Sequence, residues 1–267
     1  MAVAAPGSYA SPVSLPPDIG LPSQVLPDVP LAEVLERLAV HTSLVEVDSL
    51  GLHTVLSPLN RRVAVASGLR LTVHGPYGYE IDPGSPDEPT RRRTVALHRR
   101  HIEAAVEMGA LLYVAHADYR DPPGPRDPAI VAALQATIAD LAELQRELGM
   151  RIAMENLPGV GVSHFTGPGD LDLGELGFAL DTGHAAISGT LDAFLADPQA
   201  RLIHVHLHSN LGPADADDPH RPLGEGVVDG AAVLAVARKA GATVILEHLD
   251  EPSALASIAW LEARGLV

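Results

Sequence analysis

The feature that most constrains this chain is a recurring short run of aliphatic and β-branched residues that closes on an ionisable side chain. The runs are LVEVD (44–48), LTVH (71–74), LLYVAH (111–116), RIAME (151–155), GFALD (177–181), LIHVHL (202–207) and TVILE (243–247). Between them lie segments with helical character, near 31–40, 89–108, 128–148, 190–196, 229–240 and 252–264. In the third of these, Ile130, Ala133, Leu134, Ile138, Leu141 and Leu144 recur at the spacing of one helix face. Strand and helix in alternation predict βα units around a parallel sheet. The strands are nearly continuous apolar runs, as expected where both faces are covered. Seven strands are visible, so the eighth must come from the N-terminal segment, and the fold class expected is α/β, a single (β/α)8 TIM barrel.

At 267 residues the chain fits one such barrel, and 46% hydrophobic against 19% charged residues is the balance of a packed globular domain. Residues 1–30 are rich in Pro, Ser, Ala and Gly with no clear period; they hold either a barrel strand with an extended loop or a loose arm, and 31–267 form the barrel domain. MAVAAPGSYASPVSLPP has neither a basic start nor a long apolar run, so no signal peptide or membrane anchor is indicated and a cytoplasmic location is expected. Quaternary structure is not legible.

Acidic residues outnumber basic ones 34 to 18, a formal charge of −16 that repels phosphate backbones, so DNA is an unfavourable partner. The one strong basic run, Arg91 to Arg93, is explained equally well as a solvated helix start. Cysteine is absent, which excludes disulfides and thiolate chemistry and leaves any metal to N and O ligands.

His74, His116, Glu155, Asp181, His206 and Glu247 each lie at or next to the end of a strand. The C-terminal ends of barrel strands converge on one rim, so these side chains should meet in one pocket. A single His or Glu at a strand end is ordinarily a satisfied polar residue, but six matched ends are hard to obtain by chance. Buried carboxylates with no Lys or Arg beside them call for a cation. In DTGH, Asp181 and His184 are three apart where strand turns to helix, and in DPHRPLGEG, Asp218 and His220 sit in a loop stiffened by Pro219 and Pro222. Both pairs can reach the same rim. Glu46 points toward it as well and is a candidate substrate contact. Tyr77, three after His74, reads as loop packing or as a side chain that could wedge into DNA.

LIHVHLHSN sets His204, His206 and His208 on one strand face. The strand rise places His204 about 6.6 Å before His206 and His208 as far beyond it, too far for one ion. His206 is the expected ligand, His204 a barrel-interior residue with a hydrogen-bonded partner, and His208 a group that touches substrate or faces water.

The ordered set VHGPY, VAHAD, AMENLP, LDTGHA, VHLHSN, DPHRPLGEG and ILEH resembles the xylose isomerase-like TIM barrel superfamily over roughly residues 30–265. That superfamily includes endonuclease IV, or AP endonuclease family 2, as well as sugar isomerases and epimerases. The endonuclease IV resemblance implies three zinc ions: His74, His116 and Glu155 on one; Glu155, Asp181, His206 and Glu247 on a second; His184, Asp218 and His220 on a third, with Glu155 bridging. The isomerases and epimerases need one ion, on the equivalents of Glu155, Asp181, His206 and Glu247. There the two glutamates move a proton and the equivalent of His184 touches the substrate, which makes Glu155, Glu247 and His184 the implied catalytic residues. The expected cofactor is a divalent metal, one to three ions, Zn favoured and Mn, Fe, Co or Mg also compatible with N and O ligands. The expected activity is isomerisation or epimerisation of a small sugar or sugar phosphate. The alternative is multi-zinc hydrolysis of a phosphoester, for which His74, His116, Asp218 and His220 would not be surplus. A metal site without catalysis is a third class, disfavoured by a complete ligand set.

Overall fold

A computed structural model of the protein describes residues 15–78, 81–119, 124–159, 162–196, 201–215 and 217–267. Eight parallel strands close into a barrel in chain order, β1 Ile19–Pro22, β2 Leu44–Asp48, β3 Arg70–His74, β4 Tyr113–His116, β5 Ile152–Glu155, β6 Gly177–Asp181, β7 Leu202–Leu207 and β8 Thr243–Leu246. The helices are α1 Leu31–Leu38, α2 Pro58–Ser67, α3 Glu88–Glu107, α4 Pro128–Leu148, α5 Thr182–Ile187, α6 Leu191–Ala196, α7 Gly230–Ala240 and α8 Glu251–Glu262. The (β/α)8 barrel read from the strand rhythm is thus the fold. Its first strand, β1, lies inside the Pro-rich segment, pairing with β2 and β8; residues 1–14 of that segment are outside the described residues.

Two helices were not legible in the sequence. In α2 only Asn60 and Ala64 are buried, so its apolar stripe is too sparse to show a period, although Ser57 caps it and Pro58 occupies its first turn. α5 is a six-residue turn whose N-cap, Asp181, is itself a site residue. Strand β4 is shorter than LLYVAH, beginning at Tyr113. Among the described residues, the connection from β5 to β6 carries no helix, and its sequence, with Gly159, Gly167, Gly169 and Gly174 as well as Pro158 and Pro168, offers no uninterrupted window for one.

The larger core lies between barrel and helices, where Tyr113, Phe165, Phe178 and Phe194 are fully buried; Phe178 stacks on Phe194 at 5.0 Å. Inside the barrel, Leu112, Val114, Ala153 and Ala179 form a separate small cluster. By strand alternation these share a face with His116 and Glu155, so the barrel interior is apolar on the β4–β6 side and carries the site above it. Among the described residues no helix is long and apolar enough to cross a membrane.

Candidate metal centre and its two cavities

Strand register decides which side chains stand level at the rim. Asp48 faces His74, His116 faces Glu155, and Asp181 faces His206 across adjacent strands. Asp181 also caps α5, its Oδ1 accepting the His184 N–H at 2.6 Å, which fixes the i, i+3 pair in DTGH. Asp218 and His220 both adopt left-handed backbone, φ 44° and 48°, on either side of Pro219. Non-glycine residues held in that region cost energy and concentrate at functional sites. Here the conformation accompanies the placement of Asp218 beside both His184 and His220.

The nine side chains implied by the resemblance come together. His74 Nε2 and His116 Nε2 lie 3.2 and 3.3 Å from Glu155 Oε2. His206 Nδ1 lies 3.3 Å from Glu155 Oε1 and 3.5 Å from Glu247 Oε2. His184 Nε2 and His220 Nε2 are 3.4 and 4.0 Å from Asp218 Oδ2. Ligand atoms converge within 4.8 Å in His74–His116–Glu155, in His184–Asp218–His220 and in His74–His206–Glu247. Asp181 adjoins the second of these groups, with His184 Nδ1 3.5 Å away, and pairs with His208 Nε2 at 3.1 Å.

The ring tautomers show what such groups can hold. His74, His184 and His220 each point Nδ1 at a backbone carbonyl, of Gly75, Asn156 and Glu247, at 2.9, 2.9 and 3.0 Å. A carbonyl only accepts, so Nδ1 carries the hydrogen, and Nε2 of a neutral ring presents a bare lone pair to a carboxylate. Such contacts repel unless a proton or a cation lies between them. His206 is turned the other way, donating from Nε2 to Glu46 Oε1 at 2.8 Å and leaving Nδ1 toward Glu155 and Glu247. His206 Nδ1, Asp218 Oδ2 and Glu247 Oε2 are buried without a hydrogen-bond partner. Orphaned buried ligand atoms, with second ring nitrogens pinned from behind, suit a divalent ion on N and O donors.

The electrostatics follow from burial set against imidazole neighbours. Burial alone would raise Glu155, yet His206 and His116 hold it well below the usual carboxylate range. Burial dominates at Asp181 and Glu247, which are raised. Burial would lower His74 and His206, but Glu155 lifts the first to about 10, and Glu247, Glu155 and Glu46 lift the second well above its ordinary value. Asp48 is pushed up by burial to about 6.

Three residues look different in the structure. Glu46 lines the smaller cavity but is only 1% exposed; it accepts from Thr72 and His206 and sits 3.0 Å from His204 Nε2, so its oxygens orient histidines. His208 does not face water; it is fully buried between Asp181 and Asp218, its ring parallel to that of His220 at 3.9 Å. Tyr77, 37% exposed, stacks its ring on His116 at 4.9 Å and walls the site. Sequence spacing did not single out Asp48, although two residues after Glu46 on the same strand face it is the one at the rim; its Oδ1 is buried without a partner. His204 pairs with Thr243 Oγ1 at 2.6 Å below the site. Arg91 is buried in ion pairs with Glu88 and Asp140, Arg92 pairs with Glu88 and Arg93 bonds Thr90, so that run is occupied by neighbours on α3 and α4.

Two adjoining cavities open at the rim. One of about 150 Å³ is lined by Gln24, Asp48, His74, Glu155, His220 and Glu247, among others. The other, about 300 Å³, is lined mainly by Pro76, Ile81, Ala117, Leu157 and Pro158, and the two share Tyr77, His116 and His184.

A family model described as the xylose isomerase-like TIM barrel matches residues 59–264. The uncharacterized protein MJ1311 of Methanocaldococcus jannaschii is 30% identical over 240 residues, 83% of this chain and 80% of its own. Among solved structures, a D-tagatose 3-epimerase-like protein superposes with a TM-score of 0.78 at 26% identity, over 92% of this chain and 96% of its own. The TTHB071 protein of Thermus thermophilus, in a crystal soaked with ZnCl2, gives 0.65 at 26% identity, over 92% and 97%.

Proposed function

This chain belongs to the xylose isomerase-like TIM barrel family, and we propose that it is a divalent-metal-dependent isomerase or epimerase of a small sugar. The observation that carries this reading is that Glu155 and Glu247, from the ends of strands three apart around the barrel, both lie within 3.5 Å of His206 Nδ1 at a small polar cavity. Glu155, Asp181, His206 and Glu247 would hold the catalytic ion, with Zn favoured. When bound, the ion would polarise the substrate's carbonyl and adjacent hydroxyl oxygens. One glutamate then takes the proton from the neighbouring carbon and the other returns one from a different direction, which inverts or relocates the centre. His184, in the wall of both cavities, contacts a substrate hydroxyl. The likeness to a D-tagatose 3-epimerase-like protein supports the substrate class.

The test is deuterium wash-in. Metal-loaded protein incubated with a panel of ketohexoses and ketopentoses in D2O incorporates deuterium beside the carbonyl, and Glu155→Gln or Glu247→Gln reduces incorporation at least roughly 100-fold. No incorporation into any ketose sinks the reading.

A second reading, multi-metal phosphoester hydrolysis, is favoured by the His184–Asp218–His220 group, which a single-ion reaction does not need. Metal stoichiometry separates the two. Three ions per chain together with phosphate release from small phosphoesters, or cleavage of abasic DNA, would establish the hydrolase. Asp218→Asn would then abolish activity, whereas the epimerase survives it with one ion fewer.

A further inference from the structure

The two cavities differ in chemistry and share a wall. The smaller is lined by carboxylates, imidazoles and the Gln24 amide, which hydrogen-bonds Glu247 Oε1 at 3.3 Å. The larger is lined by the apolar groups Pro76, Ile81, Leu157 and Pro158 with the Tyr77 ring beside them. Tyr77 is held by its stacking on His116 and by an edge contact with His74 at 5.3 Å, so its ring, with His116 and His184, stands between the candidate metal centre and the apolar hollow. Leu157 is fixed by its backbone bond to Phe165 O at 2.9 Å. Tyr77 and Leu157 are thus each tied to a neighbour where they line the hollow. His98, also in its lining, shares a 2.8 Å hydrogen bond with Tyr113 Oη and is kept uncharged, its pKa lowered by burial to about 3.

A monosaccharide seated over the carboxylates and imidazoles of the smaller cavity leaves the adjoining apolar hollow of about 300 Å³ unfilled. Binding sites are usually mostly apolar with a few convergent polar groups that fix orientation, and here the two functions are divided between neighbouring compartments. We infer that the substrate has two parts: a polyhydroxylated reacting part over His206, Glu155 and Glu247, and next to it a ring with an apolar face, seated against Tyr77, Ile81, Leu157 and Pro158. A glycoside whose reacting sugar carries a ketone satisfies both, its second ring an aryl group or the C–H face of another sugar, and the ketone supplies the carbonyl that the proton transfer needs. The inference rests on the reading of the polar cavity as a sugar site.

The experiment measures binding to metal-loaded protein by calorimetry, so that it does not depend on turnover. Phenyl β-D-glucopyranoside and methyl β-D-glucopyranoside differ only in the apolar ring, and cellobiose replaces that ring with a second sugar. The expected result is that the phenyl glucoside, cellobiose or both bind about tenfold or more tighter than the methyl glucoside. Ile81→Asp, at a half-buried position, should bring that ratio toward one, with thermal unfolding used to show that the variant is folded. Equal affinities across the three, no measurable binding of any, or a ratio that Ile81→Asp leaves intact would each overturn the inference. If deuterium wash-in fails while the preference holds, the epimerase reading falls and the apolar subsite stands; wash-in without the preference removes the subsite alone.

Discussion

Glu46 is a carboxylate used to aim imidazoles. Its Oε1 accepts from His206 Nε2 and its Oε2 from Thr72, which leaves His206 Nδ1 facing Glu155 and Glu247 as the proposed ligand atom. Partners of this kind set ligand tautomer and basicity, and losing one costs roughly 10- to 100-fold in metal affinity. Glu46→Gln should therefore weaken the ion at His206 by that factor, measured by competition with a chromogenic chelator, and an unchanged affinity would show that His206 is oriented by other means. Asp48, not Glu46, is the β2 residue at the rim, because a two-residue step is one strand repeat of about 6.6 Å. Sequence alternation put both on the correct face, but how far each projects past the barrel end was set by register with β3.

The elements contribute precision where they meet. α5 begins under the end of β7, and a Cβ built on Gly183 would fall 2.0 Å from His208 Cε1. Glycine at 183 is thus the condition for His208 to lie between Asp181 and Asp218. Gly183→Ala should force the ring aside, destabilise the fold by about 1–3 kcal/mol through overpacking, and lower metal stoichiometry; denaturant unfolding and elemental analysis check the two effects, and a fully loaded variant of unchanged stability would contradict the packing argument. The burial of His208 is illegible in sequence because spacing along β7 carries no information about α5. In contrast, α3, α4 and α8 were readable from their own residues, with Asp87, Asp127 and Asp250 capping them and proline in each first turn.

At the scale of the molecule, stability depends on what the barrel buries. His98, 1% exposed, has its pKa lowered by burial to about 3, against an ordinary value of 6.5. Between those values the unfolded chain binds a proton that the folded one does not, so this stability is complete above pH 6.5 and is lost as pH falls toward 3, at up to about 1.4 kcal/mol per unit. Urea unfolding of chelator-stripped protein between pH 4 and 7 should show stability changing less steeply with pH for His98→Gln; an identical dependence refutes the assignment. A resident metal would add a separate contribution, since an ion that binds only the folded state stabilises it by about 4 kcal/mol at a thousandfold excess over Kd. Chelation should accordingly lower the melting temperature by several degrees, and no shift would argue against a resident ion. The sequence by itself determined the barrel, through strand runs that must be covered on both faces, and the convergence of His74, His116, Glu155, Asp181, His206 and Glu247 on one rim, because parallel strands all end on the same side. Tertiary structure alone decided the tautomers, the burial of His208, the role of Glu46 and the division of the pocket into polar and apolar compartments. Those depend on distances between residues far apart in the chain, and local periodicity does not encode such distances.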